Sequence, residues 1–75
     1  MKVVITKPFK STIKHSGPNR KFTPVGEFDP CSKIMVYNLV INDIGEKWYT
    51  TDGGYIKTSD VIKLPGGNVG NGDFV

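Results

Sequence analysis

The sequence is poor in cysteine: Cys31 stands alone among 75 residues, so no intrachain disulfide can form and no second thiol exists for a CxxC site. It has no apolar run near the roughly 20 residues that span a bilayer. The opening Met1-Lys2-Val3-Val4-Ile5 meets Thr6 and Lys7 before the apolar core of a secretory signal, roughly 7–15 residues, can develop. A soluble chain with a reduced thiol and no signal peptide is therefore expected. The first 26 residues hold no acid. Asp43, Glu46, Asp52 and Asp60 lie in separate turn-like places without EF-hand spacing. No glycine-rich loop follows a strand and opens a helix, which excludes the common phosphate-cradling motifs. No zinc finger, ribonucleoprotein motif, arginine-rich arm or internal repeat is present.

What is present describes one small domain. A chain of 8.3 kDa buries only about 60% of the surface its unfolded form exposes, so its core is thin. Hydrophobic residues at 37% and charged residues at 23% fit a globular chain rather than a disordered one. Nine glycines and five prolines favour many short strands over long helices. The net charge of +3 hides a split: residues 1–26 carry six cations and no acid, while residues 27–75 carry four lysines against seven acids. A basic half of this kind attracts acidic polymers or nucleic acid through screened long-range forces. The simpler reading is a solvated lysine face, and nucleic acid is not the favoured partner.

Along the chain, residues 2–6 read as a first strand that Pro8 ends. The breakers Gly17, Pro18, Asn19, Pro24, Gly26, Asp29 and Pro30 make residues 16–31 an irregular loop with short extended pieces. Only residues 13–16 could be helical, over a length too short to matter. Residues 33–42 form the strongest strand signal, apolar on both faces, which predicts a central strand or one passing between packed sheets. Residues 42–46 supply turn chemistry, and 47–51 a further strand. Asp52-Gly53 favours a tight hairpin into a strand at 54–57. A short turn, one turn of 3₁₀ helix at most, at Ser59-Asp60 leads to a last strand at 61–64. From Pro65 onward the Gly-rich residues 65–75 cannot bury enough side chain to hold themselves in place without a partner. Their faint likeness to a calcium-binding glycine-rich repeat is a single imperfect copy, whereas such sites need stacked repeats.

The run Gly45-Glu46-Lys47-Trp48-Tyr49-Thr50-Thr51-Asp52-Gly53-Gly54-Tyr55-Ile56-Lys57 resembles the C-terminal half of bacterial SH3-like (SH3b) domains. These show Gly-x-x-Trp-Tyr, a short turn, then Gly-Tyr-Val or Gly-Trp-Ile. Ile34-Met35-Val36-Tyr37 resembles the preceding strand of that family. Ser16-Gly17-Pro18, with Phe22 and Val25-Gly26, resembles its Gly-Pro segment, so the likeness spans roughly residues 13–64. One departure stands out: Thr12-Ile13-Lys14-His15 replaces the usual Val-Asn-Val-Arg, removing the arginine-bearing motif. The resemblance implies an all-β fold: a small half-open SH3-like barrel of about five short antiparallel strands over residues 1–64, with the Gly-rich tail at 65–75.

Catalysis finds little support in the residues. Cys31 and His15 could pair as nucleophile and base, but no orienting third group accompanies them, and His15 beside Lys14 and Ser16 reads as an exposed polar side chain. No metal or cofactor is expected. The aromatics are more informative. Trp48, Tyr49 and Tyr55 are the expected apolar floor of a ligand groove, one of Trp48 and Tyr49 pointing inward and the other lying near the surface. Tyr37 and Phe22 are its expected walls, and Lys14, Arg20 and Lys21 its basic contacts. The resemblance implies a non-enzymatic binding module for a cell-wall polymer, most plausibly its peptide portion. The alternative is a small structural protein of a larger particle such as a bacteriophage virion, contacting neighbouring protein subunits. The corresponding locations are a bacterial cytoplasm or a virion.

Overall fold

The computed structural model describes residues 2–63. The Gly-rich segment at 65–75 lies outside the described residues, as does Leu64. The chain contains no alanine, two leucines and two glutamates, so strong helix formers other than lysine are scarce, and β-branched and aromatic residues dominate instead. The result is all-β. Among the described residues seven strands form in chain order, rather than the five or so expected: β1 (Lys2–Thr6), β2 (Thr12–His15), β3 (Pro24–Phe28), β4 (Lys33–Ile41), β5 (Lys47–Thr51), β6 (Gly54–Lys57) and β7 (Val61–Lys63). A single 3₁₀ turn, Thr58–Asp60, separates the last two.

The strands make one antiparallel sheet in the order β3-β2-β6-β5-β4-β1-β7. A flat sheet of this order would hold β3 and β7 roughly 29 Å apart, at about 4.8 Å per strand. Yet Phe28 of β3 packs against a cluster that contains Val61 of β7, with Val4, Ile34, Val36, Tyr49 and Ile56 between them. The sheet therefore coils around one small core. A side chain ties the same regions together: the buried Thr12 hydroxyl of β2 donates to the Asp60 carbonyl, in the turn that leads into β7, at 3.3 Å. Among the described residues no ladder joins β3 to β7, so the sheet is not closed into a barrel.

Two irregularities bend the sheet. Val36 faces Thr51 and Asn38 faces Thr50, which leaves Tyr37 as an extra residue in β4. The bulge lets both Val36 and Leu39 share a face with Tyr49, although they are an odd number of residues apart. Lys14 faces Gly26 and His15 faces Pro24, leaving Val25 extra in β3. The edge strand β3 thus carries both a bulge and a proline, features that blunt pairing with another chain.

Several expectations need correction. Residues 12–15 are a strand and not a helical turn, and residues 24–28 are its partner rather than isolated extended pieces in a loop. Each is too short to announce itself; the pairing stabilises both. Strand β4 is central in the sheet, between β1 and β5, but is covered on one face only: Met35 and Tyr37 are exposed, as are Leu39 and Ile41 near its end. The remaining strands fall where the residue pattern puts them.

Candidate functional site

Two loops form the walls of a cleft. The first, residues 16–23, is closed by a hydrogen bond from the Ser16 amide to the Thr23 carbonyl at 2.8 Å. Within it, the Asn19 amide donates to Gly17 and the Phe22 amide to the Asn19 carbonyl, while the Asn19 side-chain oxygen accepts from the Lys21 amide at 3.0 Å. The Phe22 ring lies directly over Gly17, where a Cβ would come within 2.6 Å of it. Only glycine permits that contact.

The second wall is the β4–β5 turn, residues 42–46, organised by Asn42. Its side-chain oxygen accepts from the amides of Ile44 at 3.1 Å and Glu46 at 2.9 Å, the asparagine turn motif. Gly45 completes it at φ +85°. The same residue reaches across the cleft: Asn42 Nδ2 donates to the Pro18 carbonyl at 2.8 Å and to Glu46 Oε1 at 3.0 Å.

Beneath both walls lies Trp48. Its indole is 0% exposed, and its Nε1–H donates to Glu46 Oε1 at 3.4 Å. The His15 ring meets it edge-to-face at 5.7 Å and 84°. His15 Nδ1 lies 2.9 Å from the Phe22 carbonyl; a carbonyl only accepts, so this nitrogen carries the proton. Through Glu46 the indole is tied to one wall, and through His15 to the other. Lys57 completes the group, donating to Glu46 Oε2 at 2.8 Å. The Lys57 contact, then Asn42 and Trp48, hold the Glu46 carboxyl well below the usual range, at about 2.

The cleft has a volume of about 250 Å³ and is lined by Pro18, Asn19, Lys21, Phe22, Asn42 and Asp43. Of the eight anticipated contact residues, Phe22 and Lys21 line it. Trp48 supports it from below, out of reach of a ligand. Tyr49 is 6% exposed and belongs to the core on the opposite face, where burial raises its phenol pKa. The expectation that one of Trp48 and Tyr49 would lie near the surface is therefore not met: alternation places them on opposite faces, and both faces are covered at β5. Tyr55, half-buried, sits across from His15 in the β2–β6 register. Tyr37 stands at the other end of the sheet, its exposed hydroxyl donating to Asp52 Oδ1 at 2.9 Å, which pushes its pKa up.

Two of the basic contacts have partners within the chain. Arg20 bridges to both carboxylate oxygens of the buried Asp60 at 3.2 Å, with Lys10 at 3.7 Å from the same group. Lys14 donates to the Asp52 carbonyl at 3.0 Å and lies over the Phe28 ring. His15 is buried rather than exposed. Cys31 is an exposed thiol at φ 62° in the turn before β4. Sequence reasoning missed Pro18, Asn19, Asn42, Asp43 and Glu46 as site residues. Asn42 and Asp43 were legible as turn formers, but nothing local says that their turn faces residues 16–23.

Among the described residues, no group of three or more His, Cys, Asp or Glu could hold a metal ion, and no helix is long and apolar enough to cross a membrane. Comparison of the chain with protein-family models, curated proteins and solved structures found no match.

Proposed function

We propose that the chain is a non-enzymatic SH3-like binding module that holds an extended peptide in the cleft between residues 16–23 and 42–46. The observation that carries this reading is the bracing of the cleft. Asn42 spans its two walls, and a buried indole joins both from beneath through Glu46 and His15. Such bracing fixes a concave surface before a ligand arrives, which reduces the ordering cost of binding. The Phe22 and Pro18 rings supply apolar contact, and Lys21 adds charge. The all-β fold is consistent with the resemblance to bacterial SH3-like domains that residues 45–57 carry. That resemblance supplies the ligand class, the peptide portion of a bacterial cell wall.

The test is sedimentation with washed bacterial walls. Wild type is expected in the pellet and Phe22→Ala in the supernatant. Wild type remaining in the supernatant overturns the cell-wall ligand.

A second reading, a structural subunit of a larger particle such as a virion, draws on a separate surface. On the outer face of β4, β1 and β7, Val3 pairs with Met35 and Ile5 with Ile62. Val3, Met35 and Ile62 are each exposed by about two-fifths. An exposed apolar stripe on a sheet face is a feature of interaction surfaces. Sedimentation velocity over a range of concentrations tests it. Association that Met35→Lys abolishes supports the particle reading, and a monomer at all concentrations counts against it.

A further inference from the structure

We infer that the cleft selects a peptide segment presenting an ammonium and a carboxylate within two or three residues, such as the two ends of a short free peptide. The inference rests on the binding-module reading and adds the chemistry of the ligand. Three observations carry it.

The first is the charge on the two walls. Lys21 stands on one and Asp43 on the other, and both line the cleft. Among the described residues, neither side chain makes a hydrogen bond or ion pair; the only Lys21 contact is through its backbone amide. Two charges of opposite sign, so placed and unneutralised, complement a ligand that carries both.

The second is that the neighbouring charges are already engaged. Arg20 is held by Asp60, and Glu46 by Lys57 and Asn42. The cleft therefore offers one cation and one anion rather than a field of one sign. A purely acidic polymer would gain from Lys21 and lose to Asp43.

The third is size. At about 250 Å³ the cleft lies below the roughly 300–1,000 Å³ of pockets that enclose drug-sized ligands. A cleft this small and open on one side suits a short segment, with both charges of the ligand only a few residues apart. The Phe22 and Pro18 rings, which also line the cleft, suit a short apolar side chain such as a methyl group.

The test is a titration of ¹⁵N-labelled protein with tri-alanine in four forms: free, N-acetylated, C-amidated and doubly capped. Free tri-alanine is expected to move the amide signals of residues 19–22 and 42–44. Each cap should weaken binding about fivefold, the upper range for one exposed charge pair. The variants assign the charges. Lys21→Met should weaken the free peptide about fivefold but leave the C-amide unchanged, and Asp43→Asn should do the same with respect to the N-acetyl form. Among the described residues neither side chain has a partner, so neither variant endangers folding. Equal affinity for all four forms overturns the inference, as does a response confined to other surfaces. If wild type sediments with washed walls yet no form of tri-alanine moves these signals, the charge assignment fails while the module reading stands. If it neither sediments nor responds, both fail.

Discussion

Asn42 Nδ2 lies 2.8 Å from the Pro18 carbonyl, joining two loops that are 24 residues apart in sequence. The same side chain also accepts two amides of its own turn and donates to Glu46, so every polar atom it possesses is engaged. A side chain with four such contacts organises the cleft more than it touches a ligand.

Replacing it with alanine leaves the Pro18 carbonyl and the Ile44 and Glu46 amides without their partner. Asn42→Ala should lower stability by about 1–3 kcal/mol, measured by urea unfolding. It should also speed hydrogen exchange at Ile44 and Glu46 more than at the core strand amides. Unchanged exchange at these two amides contradicts the bracing role.

The two aromatic residues of the cleft should separate stability from binding. Trp48→Ala removes a fully buried indole at about 3–5 kcal/mol, comparable to the whole stability of a domain this size. Far-ultraviolet circular dichroism should show it largely unfolded at 25 °C. Phe22, 41% exposed, should cost within about 1 kcal/mol on truncation to alanine, with its effect read in binding. Equal destabilisation by the two variants contradicts this division.

The glycines give a geometric check. A Cβ on Gly54 would lie 2.6 Å from the His15 carbonyl, next to the His15–Tyr55 pair that joins β2 to β6. Gly54→Ala should therefore cost about 1–3 kcal/mol in thermal or urea unfolding. Gly17→Ala meets only the Phe22 ring, which can swing away. It should weaken binding with a smaller loss of stability, and the reverse ranking would contradict the packing described.

Glu46 sets an acid-dependent contribution. Its folded pKa, about 2, lies below the ordinary value of 4.5, so its carboxylate favours the folded state above pH 4.5. That contribution is lost as pH falls from about 4.5 toward 2. Unfolding midpoints measured across this window should drop for wild type and drop less for Glu46→Gln. Identical pH profiles would show that the Lys57 and Asn42 contacts do not hold in solution.

Much of the fold was legible in the residues. β1, β5 and β6 announce themselves by β-branched and aromatic runs, and the Asp52-Gly53 hairpin by its dipeptide, with Gly53 at φ +77°. β2 and β3 were not legible, because Thr12–His15 and Pro24–Phe28 hold strand conformation through each other rather than through propensity. Little of the site was legible. Phe22 and Lys21 line the cleft, while Trp48 acts from beneath because β5 is covered on both faces, an outcome set by the path of residues 16–23. Arg20 was legible as a cation, but its partner Asp60 lies 40 residues onward, where only the coiling of the sheet brings it near.

The most direct test of the account is chemical-shift mapping of ¹⁵N-labelled protein with solubilised cell-wall peptide fragments. The account predicts that signals from residues 19–22 and 42–44 move in a saturable way while those of Val3, Ile5, Met35 and Ile62 stay fixed. Movement confined to that outer apolar stripe, or no movement at saturating fragment, would contradict it.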